Sequence, residues 1–168
     1  PPPHYCSRRR RQMCIRDRDT SIKQFMKNKM IEKKKKAVED FFAVLPHSIS
    51  LGMGIDFIKD GEVGMSMPYD SKLIGDPQTK VIHGGAVFAL LDTCCGAAAM
   101  SHPEQTGPTA TIDLRVDYMR PATPSQRIKA IATCYNLTKN VAFVRAVALD
   151  NNEEKPVAMA AGAFVTGV

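Results

Sequence analysis

One stretch decides the expected fold, Val81-Ile-His-Gly-Gly-Ala-Val-Phe-Ala-Leu-Leu-Asp-Thr-Cys-Cys-Gly-Ala-Ala-Ala-Met100. From Ala86 onward, small or apolar residues occupy every side of the helix that this stretch predicts. Such a pattern is typical of a helix that is buried all round. Small residues along one side indicate that another element packs very close to it. Asp92 is the only charged residue between Gly84 and Met100.

Short alternating segments bounded by turn residues lie on both sides of this helix and predict strands. A hairpin turn at Asp60-Gly61 separates the first two, and a loop over residues 70–82 leads into the helix. The predicted strands are Ile49–Phe57, Val63–Met67, Thr109–Tyr118, Arg127–Leu137, Val141–Asp150 and Pro156–Val165. The strands after the helix read as an antiparallel meander. We therefore expect an α+β fold, a curved antiparallel sheet wrapped around one long central helix, with open edges suited to pairing between subunits.

The N-terminal part divides into two segments. Residues 1–19 open with three prolines and contain an arginine run without apolar periodicity. We expect a disordered tail or a non-native leader there, the alternatives being a transit peptide or a nucleic-acid-binding arm. Residues 20–46 predict an additional N-terminal amphipathic helix that ends before Pro46, because proline disfavours helical geometry at the preceding residue.

Composition and charge exclude several classes of protein. The 168 residues are 44% hydrophobic and 24% charged, which suits one globular domain. The net charge of +6 comes from residues 1–36, with 13 basic and 3 acidic side chains, whereas the other 132 residues carry 10 and 14. The folded part is therefore not expected to bind nucleic acid.

The cysteines and the apolar run bear on location. The five cysteines form no C-x-x-C pair, and their odd number favours a reducing compartment. The stretch from Gly84 to Met100 is rich in glycine and alanine and contains Asp92, so no membrane span is expected. We expect a cytoplasmic protein, or a mitochondrial one if the source is eukaryotic.

Two features of the predicted core helix suggest chemistry. An isolated carboxylate such as Asp92 is costly in an apolar setting, so it is either hydrogen-bonded for structural reasons or catalytic. His83-Gly84-Gly85 places free N–H groups at the helix start, where an oxyanion would be stabilised. His83 and Asp92 are nine residues apart, about 13 Å along one helix. Both can act on one carbonyl only if the site is shared across a two-fold dimer.

Val81–Gly96 resembles the hotdog-fold acyl-CoA thioesterases, specifically the phenylacetic-acid-degradation (PaaI-like) type of the 4-hydroxybenzoyl-CoA thioesterase superfamily. The shared signature is His-Gly-Gly, six residues and an acidic residue, here His83-Gly84-Gly85 and Asp92. The resemblance continues through Thr111–Ala122 and covers residues 47–168, which we interpret as a hotdog thioesterase domain.

The resemblance implies a role for each matching residue. The N–H of Gly85 would polarise the thioester carbonyl, and His83 would fix the loop and the thioester end. The partner subunit's carboxylate, matching Asp92, would activate water as a general base or attack as a nucleophile. A hydroxyl at Thr111 would orient that carboxylate or the water. No metal or redox cofactor is implied, CoA being part of the substrate, and homodimers that pair into dimers of dimers are expected.

Other positions are candidates for binding the substrate. Gly84 would lie against the thioester, while Phe88 and Leu91 would line the acyl pocket. Arg120 and Arg127 are candidates for the CoA phosphates, the alternative being solvated loop charges.

Asp76 departs from the family pattern. It stands where many relatives have asparagine, and an ionised acid would not donate a hydrogen bond to a carbonyl. A cap of the turn is its alternative role.

Three functions remain open at this point. An acyl-CoA thioesterase is the leading hypothesis. A hotdog hydratase or dehydratase would need a catalytic histidine in a different loop, which this sequence does not contain. A non-catalytic acyl-CoA-binding protein is the third hypothesis, and the presence of Asp92 argues against it.

Overall fold

The computed structural model describes residue 29 and residues 32–167. The chain divides into two compact units, Pro1–Lys33 and Lys34–Val168. The second unit carries every interaction considered below. The predicted tail at residues 1–19 and most of the first half of the predicted helix at residues 20–46 lie outside the described residues.

The N-terminal helix ends where proline requires it. Helix α1 spans residues 32–43, and Leu45 is extended, with φ −79° and ψ 108°. A second short helix, α2 (Pro46–Ser50), then begins with Pro46 in its first turn, a position where the missing N–H costs nothing. The strand predicted from Ile49 is therefore wrong at its start. Gly52, at φ +66°, follows α2, and the strand begins at Gly54.

The remaining elements follow the predicted order closely. The strands are β1 (Gly54–Lys59), β2 (Glu62–Met67), β3 (Ile74–Asp76), β4 (Val81–Ile82), β5 (Thr109–Tyr118), β6 (Ile128–Leu137), β7 (Val141–Leu149) and β8 (Ala158–Thr166). The central helix α3 spans Gly84–Ser101. Gly61 turns the first hairpin at φ +70°, as its position predicts. The expected loop at 70–82 contains a 3₁₀ turn (Ser71–Leu73) and the two-stranded β3–β4 ladder.

The main sheet has six antiparallel strands in the order β1-β2-β6-β7-β8-β5. The expected meander is correct for β6 to β8 and wrong for β5, which does not lie beside β6. Strand β6 already pairs with β2, Glu62 lying opposite Thr133. The chain leaving α3 therefore joins the far edge, where Thr109 lies opposite Thr166 on β8. Strands β1 and β5 are the two edges of this sheet.

Helix α3 packs one side against β2, β5, β6 and β7. Leu90, Leu91 and Cys94 are fully buried on that side. The Cys94 thiol donates to the carbonyls of Val63 and Ala130, and burial raises its pKa to about 12. By length and composition alone α3 would also pass as a membrane span, but over half of it is buried inside the fold. Its composition is that of a core helix.

The expectation that α3 is buried on every face is wrong. Eight positions at helical spacing are exposed or half-buried, because the sheet covers only the opposite side of the helix. We call them the α3 stripe: Gly84, Gly85, Phe88, Ala89, Asp92, Thr93, Gly96 and Met100. Asp92 thus lies on the side of the helix that the chain itself does not fully cover.

A buried ion pair fixes the loop after β5. Asp150 is fully buried, and its two carboxylate oxygens each accept from Arg120 at 2.7 Å. The N–H groups of Thr123 and Asn152 also donate to this carboxylate. The Arg120 guanidinium holds the pKa of Asp150 far below its usual range. The pair ties the end of β5 to the turn between β7 and β8.

Removing the arginine of this pair should destabilise the fold strongly. Arg120→Met is expected to lower the free energy of unfolding by about 3–5 kcal/mol, because the Asp150 carboxylate stays buried without a counter-charge. Arg127→Met is the matched control, since Arg127 is half-exposed and 3.7 Å from Asp56, and it should cost at most about 1 kcal/mol. Urea unfolding of the two variants measures both values. Equal losses would contradict the structural role of Arg120.

The pair also predicts a dependence of stability on pH. The folded-state pKa of Asp150 lies below its usual value of 3.8. The contribution of Asp150 to the free energy of unfolding is therefore fully present above pH 3.8. The contribution is lost as the pH falls from there through the folded-state pKa.

Candidate active site

His83 caps the first turn of α3. The imidazole Nδ1 of His83 accepts a hydrogen bond from the N–H of Gly85 at 2.9 Å, and the backbone N–H of His83 donates to the Leu73 carbonyl at 2.8 Å. The β3–β4 ladder approaches so closely that a Cβ on Gly75 would lie 2.8 Å from His83 Cα. The loop and the helix start are therefore held together, and the imidazole covers the N–H of Gly85.

Tyr118 holds the same peptide group from its other side. Its hydroxyl donates to the Gly84 carbonyl at 2.7 Å. That carbonyl and the N–H of Gly85 belong to one peptide plane, so His83 and Tyr118 fix its orientation together. A hydrogen bond to the carbonyl also polarises the N–H as a donor. Tyr118 is not among the residues that the sequence predicts for a site, and the available signal was its place in the strand end Asp117–Ala122.

Asp92 lies on the α3 stripe and accepts a hydrogen bond from a side chain of the sheet. The Thr111 hydroxyl on β5 donates to Asp92 Oδ1 at 2.9 Å. The adjacent hydroxyl on α3, that of Thr93, makes no bond to Asp92 among the hydrogen bonds of the described residues. The bond from Thr111 orients a half-buried carboxylate that remains open on one side.

Two separate cavities adjoin these groups. The one at Asp92 has a volume of about 130 Å³ and is lined by Phe41, Phe42, Leu45, Asp92, Thr93, Gly96, Met100, Thr109, Thr111 and Phe164. The one at the helix start has a volume of about 350 Å³ and includes His83 and Gly85, with His47 and Lys72 beside them. Neither His47 nor Lys72 is among the residues that the sequence predicts for a site. Within one chain the carboxylate and the glycine turn therefore open into different cavities.

The two residues predicted to line the acyl pocket, Phe88 and Leu91, lie on different sides of α3. Phe88 is 40% exposed on the α3 stripe and remains available to a ligand or a partner. Leu91 is fully buried between α3 and the sheet, so its predicted position in an acyl pocket is wrong. It lies one position round the helix from Asp92, on the side that the sheet covers.

Asp76 caps its turn, the alternative that the sequence left open. Its carboxylate accepts from the N–H of Gln78 at 2.9 Å and from the Thr79 hydroxyl at 2.6 Å. The bond from Thr79, followed by that from Gln78, lowers the pKa of Asp76. The turn therefore engages both oxygens.

The two arginines proposed to bind the CoA phosphates, Arg120 and Arg127, differ in how many of their donors are already used. A guanidinium has five N–H donors, and Arg120 makes five hydrogen bonds, to Asp150 and to the carbonyls of Pro121 and Lys155. It has none left for a phosphate, so that candidate is wrong. Arg127 is half-exposed and lines neither of the two cavities. Its role in CoA binding stays a prediction.

The sequence is similar to known hydrolases. A model of the thioesterase superfamily matches residues 79–157. A Halobacterium salinarum protein named as an esterase is 34% identical over 116 residues, covering 67% of this chain and 77% of that protein. The medium/long-chain acyl-CoA thioesterase YigI of Escherichia coli is 26% identical over 142 residues, covering 77% of this chain and 90% of YigI.

Solved structures have the same architecture. A Pseudomonas aeruginosa protein of known crystal structure superposes with a TM-score of 0.69 at 33% identity, covering 81% of this chain and 98% of the other. Escherichia coli PaaI, from the phenylacetic acid degradation operon, superposes with a TM-score of 0.73 at 17% identity over 83% of this chain and 96% of its own. The predicted hotdog fold is confirmed.

A curved sheet around one helix, with an acid on that helix and a glycine-rich start to it, defines a hotdog-fold hydrolase. The family match and the 34% identical relative make the assignment specific. The chain belongs to the thioesterase superfamily and is an enzyme that hydrolyses thioesters.

Proposed function

We propose that this protein is an acyl-CoA thioesterase, which converts an acyl-CoA and water into a carboxylic acid and free CoA. The observation that carries the proposal is the half-buried Asp92 carboxylate on the α3 stripe, oriented by the Thr111 hydroxyl at 2.9 Å. The similarity to YigI, which is named as an acyl-CoA thioesterase, supports CoA as the thiol part of the substrate.

The carbonyl oxygen of the thioester binds at the start of α3. It displaces the His83 imidazole from the N–H of Gly85, and that N–H then stabilises the oxyanion that develops during attack. The positive end of the α3 dipole adds to this stabilisation. Tyr118 keeps the Gly84–Gly85 peptide in place while His83 turns away.

Asp92 of the partner subunit supplies the attack. As a general base it takes a proton from water while the water oxygen bonds to the carbonyl carbon. The carbon–sulfur bond then breaks, and the CoA thiolate receives the proton. As a nucleophile it would bond to the carbonyl carbon itself, and water would release the acid afterwards. Both routes give the same products, and neither needs a metal ion or a redox cofactor.

We propose a two-fold dimer as the assembly in which this sharing occurs. The helical path of about 13 Å between His83 and Asp92 is too long for both to reach one carbonyl in a single chain. The α3 stripe, which includes the exposed Phe88, is an apolar face that a second copy would cover. Two-fold packing there would bring the Asp92 of one copy towards the Gly85 turn of the other.

The outer face of the sheet supports a further pairing into dimers of dimers. An open groove of about 780 Å³ crosses it, lined in part by Tyr135 and Met159, which are about half exposed. Exposed apolar side chains grouped along one surface groove are typical of an interaction site.

The test is release of free CoA, followed with a thiol reagent, from acetyl-, hexanoyl-, benzoyl-, decanoyl- and palmitoyl-CoA. We expect saturable turnover on at least one of them. Folded, dimeric protein that releases no CoA from any of them would contradict the proposal.

A further inference from the structure

The cavity at Asp92 has one wall that the superfamily match does not include. The match begins at residue 79, whereas Phe41, Phe42 and Leu45 come from α1 and the residue pair that follows it. These three apolar side chains face a cavity that also contains the proposed catalytic carboxylate. Helix α1 is therefore placed to contact whatever group lies beside Asp92.

The cavity follows α3 away from the carboxylate. Gly96 lies about 6 Å from Asp92 along the helix axis, and Met100 about 6 Å further. On the neighbouring strand, Thr111 bonds to Asp92, while Thr109 lies near Gly96, 4.0 Å from the position of a Cβ built there. The site thus has a polar end at Asp92 and apolar walls beyond it. An acyl thioester has the same order, a reacting carbonyl followed by a hydrocarbon group.

Helix α1 is fastened in this position. The Lys34 ammonium donates to the carbonyls of His102, Pro103 and Gln105, at 2.6, 2.5 and 2.9 Å. These carbonyls belong to the segment that directly follows α3. Helix α1 is therefore anchored at the C-terminal end of α3, the helix that carries Asp92. Phe42 is buried, so this wall of the cavity is fixed on the side that faces the core.

The volume then limits the ligand. The cavity at Asp92 has a volume of about 130 Å³ and is partly open to the surface, and an enclosed apolar cavity of about 150 Å³ accepts benzene. We propose that α1 closes the acyl end of the site and restricts the acyl group to about the size of one six-membered ring or an equally small chain. This inference rests on the proposed thioesterase function. It separates this chain from YigI, which is named for medium and long chains.

Gly96→Ala tests the proposal with a single methyl group. A Cβ at this position meets Phe164 at 3.7 Å and Thr109 at 4.0 Å, which are ordinary contacts, so the variant should fold normally. The methyl group reduces the cavity. We expect kcat/KM for benzoyl- and hexanoyl-CoA to fall by about 10-fold or more, and that for acetyl-CoA to stay near the wild-type value. Gly54→Ala is the matched control, because nothing lies within 4 Å of its Cβ, and its profile should be unchanged.

Phe41→Ala tests the wall in the opposite direction. Phe41 is 38% exposed, so its truncation should leave the protein folded while opening the cavity on the α1 side. We expect kcat/KM for decanoyl-CoA to rise by about 10-fold relative to that for acetyl-CoA. Turnover with the same chain-length profile in wild type, Gly96→Ala and Phe41→Ala would overturn the inference and leave the proposed function standing. A wild-type preference for palmitoyl-CoA would also overturn it. Absence of any turnover would instead remove the proposed function, and this inference with it.

Discussion

Protein carrying Asp92→Asn is expected to release CoA about 10²- to 10⁴-fold more slowly than wild type, with the fold and the dimer retained. Asparagine has the same shape, and its carbonyl oxygen can still accept the Thr111 hydroxyl that now bonds to Oδ1 at 2.9 Å. It can neither take a proton from water nor attack a carbonyl. Steady-state CoA release on the best substrate measures the loss, and it should appear in kcat.

Two further variants separate chemistry from general damage. Asp117→Asn removes an acid on the same sheet, but Asp117 is exposed and pairs with Arg115 at 3.0 Å, so its turnover should equal that of wild type. Thr111→Val keeps the shape of the side chain and removes the donor. Its turnover should fall about 10-fold, which corresponds to one hydrogen bond of about 1.4 kcal/mol. Wild-type turnover in Asp92→Asn would exclude the carboxylate from the reaction.

The local part of the fold could be predicted from the sequence. Strand β5 was expected at Thr109–Tyr118 and has those bounds, because its alternation and the turn residues around it are local signals. The break before Pro46 is equally local. The helix that restarts at Pro46 was missed, since proline signals both the end of one helix and the first turn of another.

The long-range part could not be predicted. Nothing in the sequence of β5 says that it pairs with β8, because a strand's partner depends on which edges other strands have already occupied. The α3 stripe was missed for a related reason. A helix of small apolar residues looks uniform in sequence, and only the position of the sheet decides that Leu91 is buried while Phe88 is exposed.

The candidate site shows the same division. His83, Gly85 and Asp92 could be proposed as site residues because the sequence places them along one helix. The Arg120–Asp150 pair was missed because 30 residues separate its partners, so Arg120 looked like a free loop charge. Tyr118 was missed because the contact between its hydroxyl and the Gly84 carbonyl spans 34 residues. Single charges in a loop carry too little information to distinguish a ligand contact from a buried pair.

Two impaired variants are expected to restore each other's activity when they form one dimer. Gly85→Pro removes the proposed oxyanion donor in the first turn of α3, and its Cβ displaces the His83 imidazole, whose Nδ1 would otherwise lie 2.9 Å away. It should lower kcat by about 10²- to 10³-fold. Asp92→Asn removes the base. If each site takes Gly85 from one copy and Asp92 from the other, a mixed dimer has one intact site and one that lacks both groups. Its turnover should be about half that of the wild-type dimer, by the count of intact sites.

Mixed dimers can be isolated by giving the two variants different affinity tags, co-expressing them and purifying through both tags. The two parent homodimers, each purified in the same way, set the background that the mixed dimer must exceed. A mixed dimer no more active than its parents would mean that Gly85 and Asp92 act within one chain. That result would require α3 to bend or the substrate to span about 10 Å, because seven helical residues separate Gly85 from Asp92. Recovery to half of the wild-type rate would instead establish that neither subunit holds a complete site, since neither variant chain carries both groups.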